Sequence, residues 1–129
     1  MLTPSCKLSV VVGTTQPWPE TRPLLDSLCP QAATLGAEVV LAIRSEDARP
    51  PVGAYPAVKV ITGPGETVFE LRERAIAASS GDIVAVTEDH CRVAPDWCQR
   101  IIDAHAEFPN ADVIGGAVAN GRSSPATRM

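Results

Sequence analysis

No apolar run in this chain approaches the roughly 20 residues that a membrane-spanning helix needs, so no span is expected. Positive charge is also in short supply. Eleven Lys and Arg against fifteen Asp and Glu leave a net charge of −4, and the basic residues are scattered. That argues against nucleic acid as the main partner, because phosphate binding needs a positive face. A small anionic ligand remains compatible, since backbone amides and one arginine can hold it. The four cysteines, Cys6, Cys29, Cys91 and Cys98, have no C-x-x-C spacing. A zinc site drawing on Cys91 and Cys98 with His90 and His105 lacks the paired spacings of structural zinc, and ordinary thiols are the simpler reading. The amino-terminal residues lack the basic-then-apolar order of a secretory signal, so a cytoplasmic location is expected. Internal repeats and low-complexity segments are absent. Aromatics are few, and Trp18, Trp97 and Tyr55 read as packing residues rather than stacking platforms.

What is present is a globular balance, 45% hydrophobic and 20% charged over 129 residues, the size of one domain. The twelve prolines fall mostly between periodic segments and act as punctuation. Leu8–Val12 is a β-branched run ending at Gly13, suited to a buried parallel strand. Leu24, Leu25, Leu28, Ala32 and Leu35 recur at helical spacing within 20–35. Pro30 is expected to distort or end this helix early, and Gly36 to stop it. Strands follow at Glu38–Ile43 and Val58–Ile61, then a helix over 67–79 terminated by Gly81, and a strand at Ile83–Val86. Pro95 is expected in the first turn of the next helix, and 112–118 as a fifth strand. Alternating strands and helices with strands apolar on both faces specify a doubly wound, mostly parallel α/β sheet, a three-layer α/β/α sandwich.

Ligands in such sheets bind at the carboxyl ends of the strands. The fourth strand runs directly into Glu88-Asp89-His90, placing two carboxylates and an imidazole there. Carboxylates are hard ligands for Mg²⁺ or Mn²⁺. On composition alone, the simpler reading of these residues is a solvated loop. Gly63-Pro64-Gly65 before a helix invites a phosphate reading, but Pro64 removes a donor and no P-loop or dinucleotide pattern is present. A plain turn is the better reading.

The order of these motifs resembles the inverting family-2 glycosyltransferases. Leu8-Ser-Val-Val-Val-Gly-Thr-Thr is similar to the family's opening S-V-V-I-P-T strand, and Glu38-Val-Val-Leu to its E-I-I-V strand. Residues 70–82 resemble its A-R-N-x-G-I-x-x-A-x-G-D run, Ile83–Asp89 its strand ending in D-x-D, and Ala94-Pro-Asp-Trp97 its P-x-W helix start. The resemblance implies a GT-A-like fold that binds a nucleoside-diphosphate sugar with Mn²⁺ or Mg²⁺ and transfers the sugar to an acceptor with inversion. It implies Thr14 beside the base or ribose, Arg72 near the base or diphosphate, and Asp89 as the metal- or ribose-contacting carboxylate, a role Glu88 shares. Asp89 with His90 is the implied metal pair.

The chain departs from the family pattern in three places. Ile43 and Arg44 stand where an aspartate usually follows the second strand, with Glu46 and Asp47 just beyond. Thr87 replaces the first acid of D-x-D. The family's acceptor-binding half, which supplies the catalytic base, is expected to begin about where this sequence stops. No catalytic base is therefore assigned; Glu88 and His90 are poorly placed as substitutes. The expected organisation is a truncated nucleotide-sugar-binding domain over 1–119 and a flexible tail over 120–129, with a homodimer covering the exposed sheet edge. The alternative function is a degenerate, non-catalytic nucleotide-binding or interaction module. Receiver-like and flavodoxin-like domains fit less well, because Gly13-Thr14-Thr15 supplies no acid and Pro17 and Pro19 suit a phosphate loop badly.

Overall fold

The computed structural model describes residues 7–116. Four parallel strands, β1 (Leu8–Thr14), β2 (Glu38–Ile43), β3 (Val58–Thr62) and β4 (Ile83–Val86), form one sheet in the order β3-β2-β1-β4. Chain order runs outward from β1 to β3 and then returns to the other side of β1. The reversal between β1 and β4 is the switch point at which α/β sheets open a crevice beyond their strand ends.

Helices α1 (Arg22–Leu35) and α3 (Trp97–Glu107) cover one face of the sheet, and α2 (Val68–Ala78) covers the other. The alternation inside each strand builds both layers at once. Val10, Val12, Leu41 and Ile43 meet Leu24, Leu25 and Leu28 of α1, while Val11, Val40 and Ala42 meet Leu71 and Ala75 of α2. All seven residues of β1 are buried, which is why its run is apolar on both faces. Trp18 and Tyr55 pack edge to face, 5.9 Å between centroids, and with Trp97 they lie against the first cluster.

Gly36 caps α1 in the left-handed conformation (φ 65°), as expected of a glycine at that position. Thr67 and Glu70 form a reciprocal capping box at the start of α2, the Thr67 hydroxyl accepting from Glu70 N and Glu70 Oε1 accepting from Thr67 N.

Four local expectations are corrected. Pro30 does not end α1, which continues to Leu35. The burial of Leu24, Leu25, Leu28 and Ala32 against the sheet outweighs the one hydrogen bond that a proline removes. Pro95 precedes α3 rather than occupying its first turn, since Asp96 is the N-cap. The cap of α2 is Ser79, not Gly81. Gly81 instead serves close packing: a Cβ there would lie 2.6 Å from Ser9 N and Oγ. Finally, residues 112–116 form no strand. Val113 is 87% exposed, and the paired glycines Gly115 and Gly116 carry the highest entropic cost of ordering. Residues 117 and 118 of that segment, and the 120–129 stretch expected to be a tail, lie outside the described residues.

Candidate functional site at the switch point

The parallel register of β1 with β4 pairs Leu8 with Ile83 and Val11 with Val86, a constant offset of 75 residues. Continuing that register past the end of β4 sets Thr14 beside Asp89. The Thr14 hydroxyl donates to Asp89 Oδ2 at 2.7 Å and accepts from Gln16 N at 3.1 Å. Thr14 is fully buried and the Asp89 side chain is 16% exposed. A loop carboxylate is thereby tied to the end of the central strand.

The other expected residues assemble around this pair. His90 Nδ1 lies 3.2 Å from Asp89 Oδ1, and its Nε2 lies 3.1 Å from Glu88 Oε2. Glu88 Oε1 is 3.7 Å from an Arg72 terminal nitrogen. Thr14, Asp89, His90, Glu88 and Arg72 thus form one continuous polar chain across the switch point.

Arg72 arrives there because α2 sits unusually close to β1. A Cβ on Gly13 would lie 3.1 Å from Leu71 Cβ, 3.2 Å from Val68 O and 3.3 Å from Arg72 N. A Cβ at that position would require α2, and Arg72 with it, to give by a few tenths of an ångström. The guanidinium lies over the Phe69 ring, 5.8 Å from its centroid, and its buried Nε has no hydrogen-bond partner among the described residues. An unpaired buried guanidinium N–H next to a carboxylate turn is an open donor toward an anion or carbonyl.

Some candidates are already committed elsewhere. Glu46 receives a bidentate pair from Arg49 at 2.9 and 3.0 Å, which also lowers its pKa through the Arg49 hydrogen bond. Arg44 donates to Thr15 O at 3.1 Å. Both line a groove of about 580 Å³ with Ser45, Arg49, Thr62 and Pro64, at the same ends of β2 and β3. The turn Gly63-Pro64-Gly65 is a plain strand-to-helix turn. The capping box of α2 occupies the Thr67 and Glu70 amides, and Glu66 beside it pairs with Arg74. A larger groove of about 600 Å³ lies between α1 and α3, lined by Ser27, Pro30, Gln31 and Thr34 among others, away from the polar chain.

The donor chemistry of the turn fits a divalent cation. The His90 imidazole stands between two carboxylates, Glu88 Oε2 at 3.1 Å from Nε2 and Asp89 Oδ1 at 3.2 Å from Nδ1. A thiol lies beside them: the ligand atoms of Glu88, His90 and Cys91 are within 4.8 Å of one another, whereas the zinc reading set aside from sequence grouped Cys91 with Cys98, His90 and His105. The signal was the compact E-D-H-C order at a strand end, four potential ligands in consecutive positions. The other cysteines stay apart from it. Cys98 is buried in the core, and burial raises the thiols of Cys29 and Cys98 to about 11.

The family model of glycosyl transferase family 2 matches residues 9–129. The chain belongs to that family. As a family-2 glycosyltransferase domain it is 32% identical, over 47 residues, to the glucosyl-dolichyl phosphate glucuronosyltransferase of Haloferax volcanii, an alignment covering 36% of this chain and 15% of that protein. It also superposes on the crystal structure of S. aureus TarS 1-349 with a TM-score of 0.67 at 16% identity, covering 85% of this chain and 38% of that one. The aligned part therefore spans less than half of either relative. The likeness to TarS is one of fold, and the GT-A-like α/β architecture expected from sequence is met. No helix among the described residues is long and apolar enough to cross a membrane.

Proposed function

We propose that this glycosyltransferase domain binds a nucleoside-diphosphate sugar at the β1/β4 switch point and presents it, with inversion at the anomeric carbon, to an acceptor hydroxyl. The observation that carries the reading is the Thr14–Asp89–His90–Glu88–Arg72 chain at the site where doubly wound sheets hold ligands. In this reading Arg72 directs its free N–H toward the diphosphate or base. Glu88 and Asp89 face the ribose and diphosphate, and Thr14 fixes the Asp89 carboxylate. A divalent cation, Mn²⁺ or Mg²⁺, held at the turn carrying Asp89 and His90 would neutralise charge on the leaving diphosphate.

The base that deprotonates the acceptor is assigned to no residue of this chain. Glu88 and His90 are engaged with each other, which leaves neither free to take a proton from an acceptor. Donor binding is therefore the activity proposed for this domain. Thermal unfolding in the presence of UDP, GDP or dTDP with Mn²⁺ tests this directly. A ligand at about 100 times its Kd adds about 2.7 kcal/mol to the folded state, a shift of several degrees for a domain of this size. A rise with one diphosphate and none with the matching nucleoside supports the reading; no rise with any of them contradicts it.

The specific observation favouring a second reading, a non-catalytic nucleotide-binding module, is Thr87 where the first acid of the family's D-x-D stands. That module would bind the diphosphate without releasing sugar from it when the acceptor-bearing partner is supplied.

A further inference from the structure

The turn carrying Glu88, Asp89 and His90 is held on its upstream side by the sheet. Thr87 N donates to Val11 O at 3.3 Å, and the Thr14 hydroxyl donates to Asp89. Downstream the chain passes through 91–94 without regular structure before α3 begins at Trp97. A site built on a loop keeps its geometry only where the surrounding groups lock it, so the exit needs an anchor of its own.

Two polar side chains of α1 supply it. Ser27 and Gln31 are four residues apart and share one face of the helix. The Ser27 hydroxyl donates to Leu24 O at 2.9 Å and accepts from Val93 N at 3.1 Å. Gln31 Nε2 donates to Ser27 O at 2.9 Å and to Ala94 O at 2.7 Å, while Gln31 Oε1 accepts from Cys98 N at 2.8 Å. Exchanging the amide oxygen and nitrogen would set an oxygen against two carbonyls and an NH₂ against an N–H, so the network fixes the orientation. The bond to Cys98 also starts α3. Asp96, its N-cap, makes no side-chain cap bond and pairs with Arg100 at 2.8 Å instead. Gln31 therefore provides, from another helix, the acceptor that a capping side chain ordinarily gives an early helix amide.

We propose that Gln31 and Ser27 are positioning residues for the donor site: α1 clamps the exit of the Glu88–His90 turn as Thr14 clamps its entry. Between the two pinned residues, Asp89 and Val93, stand only His90, Cys91 and Arg92. A displacement at Val93 is thus passed to the turn, with little chain to absorb it. Both side chains act through the backbone of 93 and 94, and misplacement of a binding group costs affinity even when every group is retained. This inference rests on the proposed donor site and extends it to the helix behind.

The test compares Gln31→Ala, Ser27→Ala and Ser27→Thr with wild type in the 129-residue chain. Glu38→Gln, at the opposite end of the sheet, is the stability control. Ser27→Ala removes a single bond to the loop and carries the test should Gln31→Ala fail to fold. Calorimetry uses whichever of UDP, GDP and dTDP the wild type prefers, with Mn²⁺. Each alanine variant is expected to weaken binding by about 3- to 10-fold, the share of an ordinary hydrogen bond, and Ser27→Thr to stay within about twofold of wild type. Glu38→Gln leaves affinity unchanged. In the nucleotide-free chain, the Cys91 amide reports the turn itself, being bonded to Glu88 O at 3.2 Å. Its hydrogen exchange by local opening is expected to accelerate in the alanine variants and not in Glu38→Gln. Wild-type affinity in a folded alanine variant overturns the role of that residue, as does a Ser27→Thr chain as weak as Ser27→Ala. An equal loss in Glu38→Gln overturns the clamp altogether. A wild type that binds no diphosphate removes the donor reading and leaves the exchange measurement to decide: Cys91 exchange unchanged by both alanine substitutions overturns the clamp.

Discussion

The hydroxyl of Thr14 and the carboxylate of Asp89, 75 residues apart in sequence, meet at 2.7 Å because the β1–β4 register continues past the end of β4. Strand pairing thus sets the position of a loop acid. Thr14→Val keeps the shape and removes the donor. We expect it to lower stability by about 1–3 kcal/mol, the cost of unpairing a part-buried charged acceptor, and to weaken nucleotide binding alongside. Urea denaturation of wild type and variant measures the first effect; an unchanged midpoint would mean the contact carries no energy.

Gly13 governs where Arg72 sits. Gly13→Ala places a methyl 3.1–3.3 Å from Leu71 Cβ, Val68 O and Arg72 N, two of which are backbone atoms that yield only if α2 moves. The expected cost is about 1–3 kcal/mol for overpacking, with α2 displaced from β1. Amide chemical-shift changes concentrated in 68–75 would confirm the direction; a neutral substitution would show that the helix can slide freely.

Arg72→Ala should separate binding from stability. Its Nε is an orphan among the described residues, and its contact with Glu88 is long at 3.7 Å. The fold is expected to change by no more than about 0.5 kcal/mol. Nucleoside-diphosphate affinity should fall by about tenfold or more, the share of one charge-assisted hydrogen bond. A variant that loses stability yet binds with wild-type affinity would reverse the assignment.

At the opposite end of the sheet, Glu38 Oε1 accepts from the buried Ser9 hydroxyl at 2.7 Å and from Ser80 N at 2.9 Å, and Ser9 Oγ in turn accepts from Gly81 N at 2.8 Å. The Ser9 hydrogen bond first, and the Ser80 amide second, hold the Glu38 carboxyl below its ordinary pKa. A carboxyl whose folded value is depressed stabilises the protein fully above its unfolded value and loses that contribution as pH falls through the folded one. Glu38→Gln is therefore expected to be less stable than wild type at neutral pH, a difference that shrinks as pH falls below the ordinary glutamate value of about 4.3. Parallel curves across that range would remove Glu38 from the acid response.

Thiol reactivity should sort the cysteines. Burial raises Cys29 and Cys98 to about 11, so at pH 8 roughly one part in a thousand of either is thiolate. Mass spectrometry after limited alkylation should find both sites slow in the folded chain and fast in urea. Rapid folded-state labelling of Cys98 would contradict its burial.

Much of the fold was legible because the chain's strongest signals are periodic and local. Leu24, Leu25 and Leu28 marked the buried stripe of α1, and Gly36 its end. The strands are short apolar runs bounded by turn residues, and their parallel order follows from the helices between them. What failed depended on tertiary packing. Pro30 stays helical because the sheet holds α1, and nothing near position 30 announces that. The fifth strand needed a partner that the apolar letters of 112–118 do not specify.

At the site, the family pattern brought Thr14, Arg72, Glu88, Asp89 and His90 into consideration, and the fold brings them together. Their mutual roles were not readable. That Thr14 spends its hydroxyl on Asp89 follows from a register, and registers are properties of pairs of strands. Cys91 was weighed with Cys98, His90 and His105 and set aside for want of paired spacing; its proximity to Glu88 and His90 became visible only once the turn was folded.

The central claim, that the switch point is a nucleoside-diphosphate site, is tested most directly by calorimetry of the 129-residue chain with UDP, GDP and dTDP, with and without Mn²⁺, repeated on Asp89→Ala. The account predicts one preferred diphosphate whose binding strengthens with the cation and is lost or weakened at least about tenfold in the variant. A folded chain that binds none of the three under either condition would contradict it.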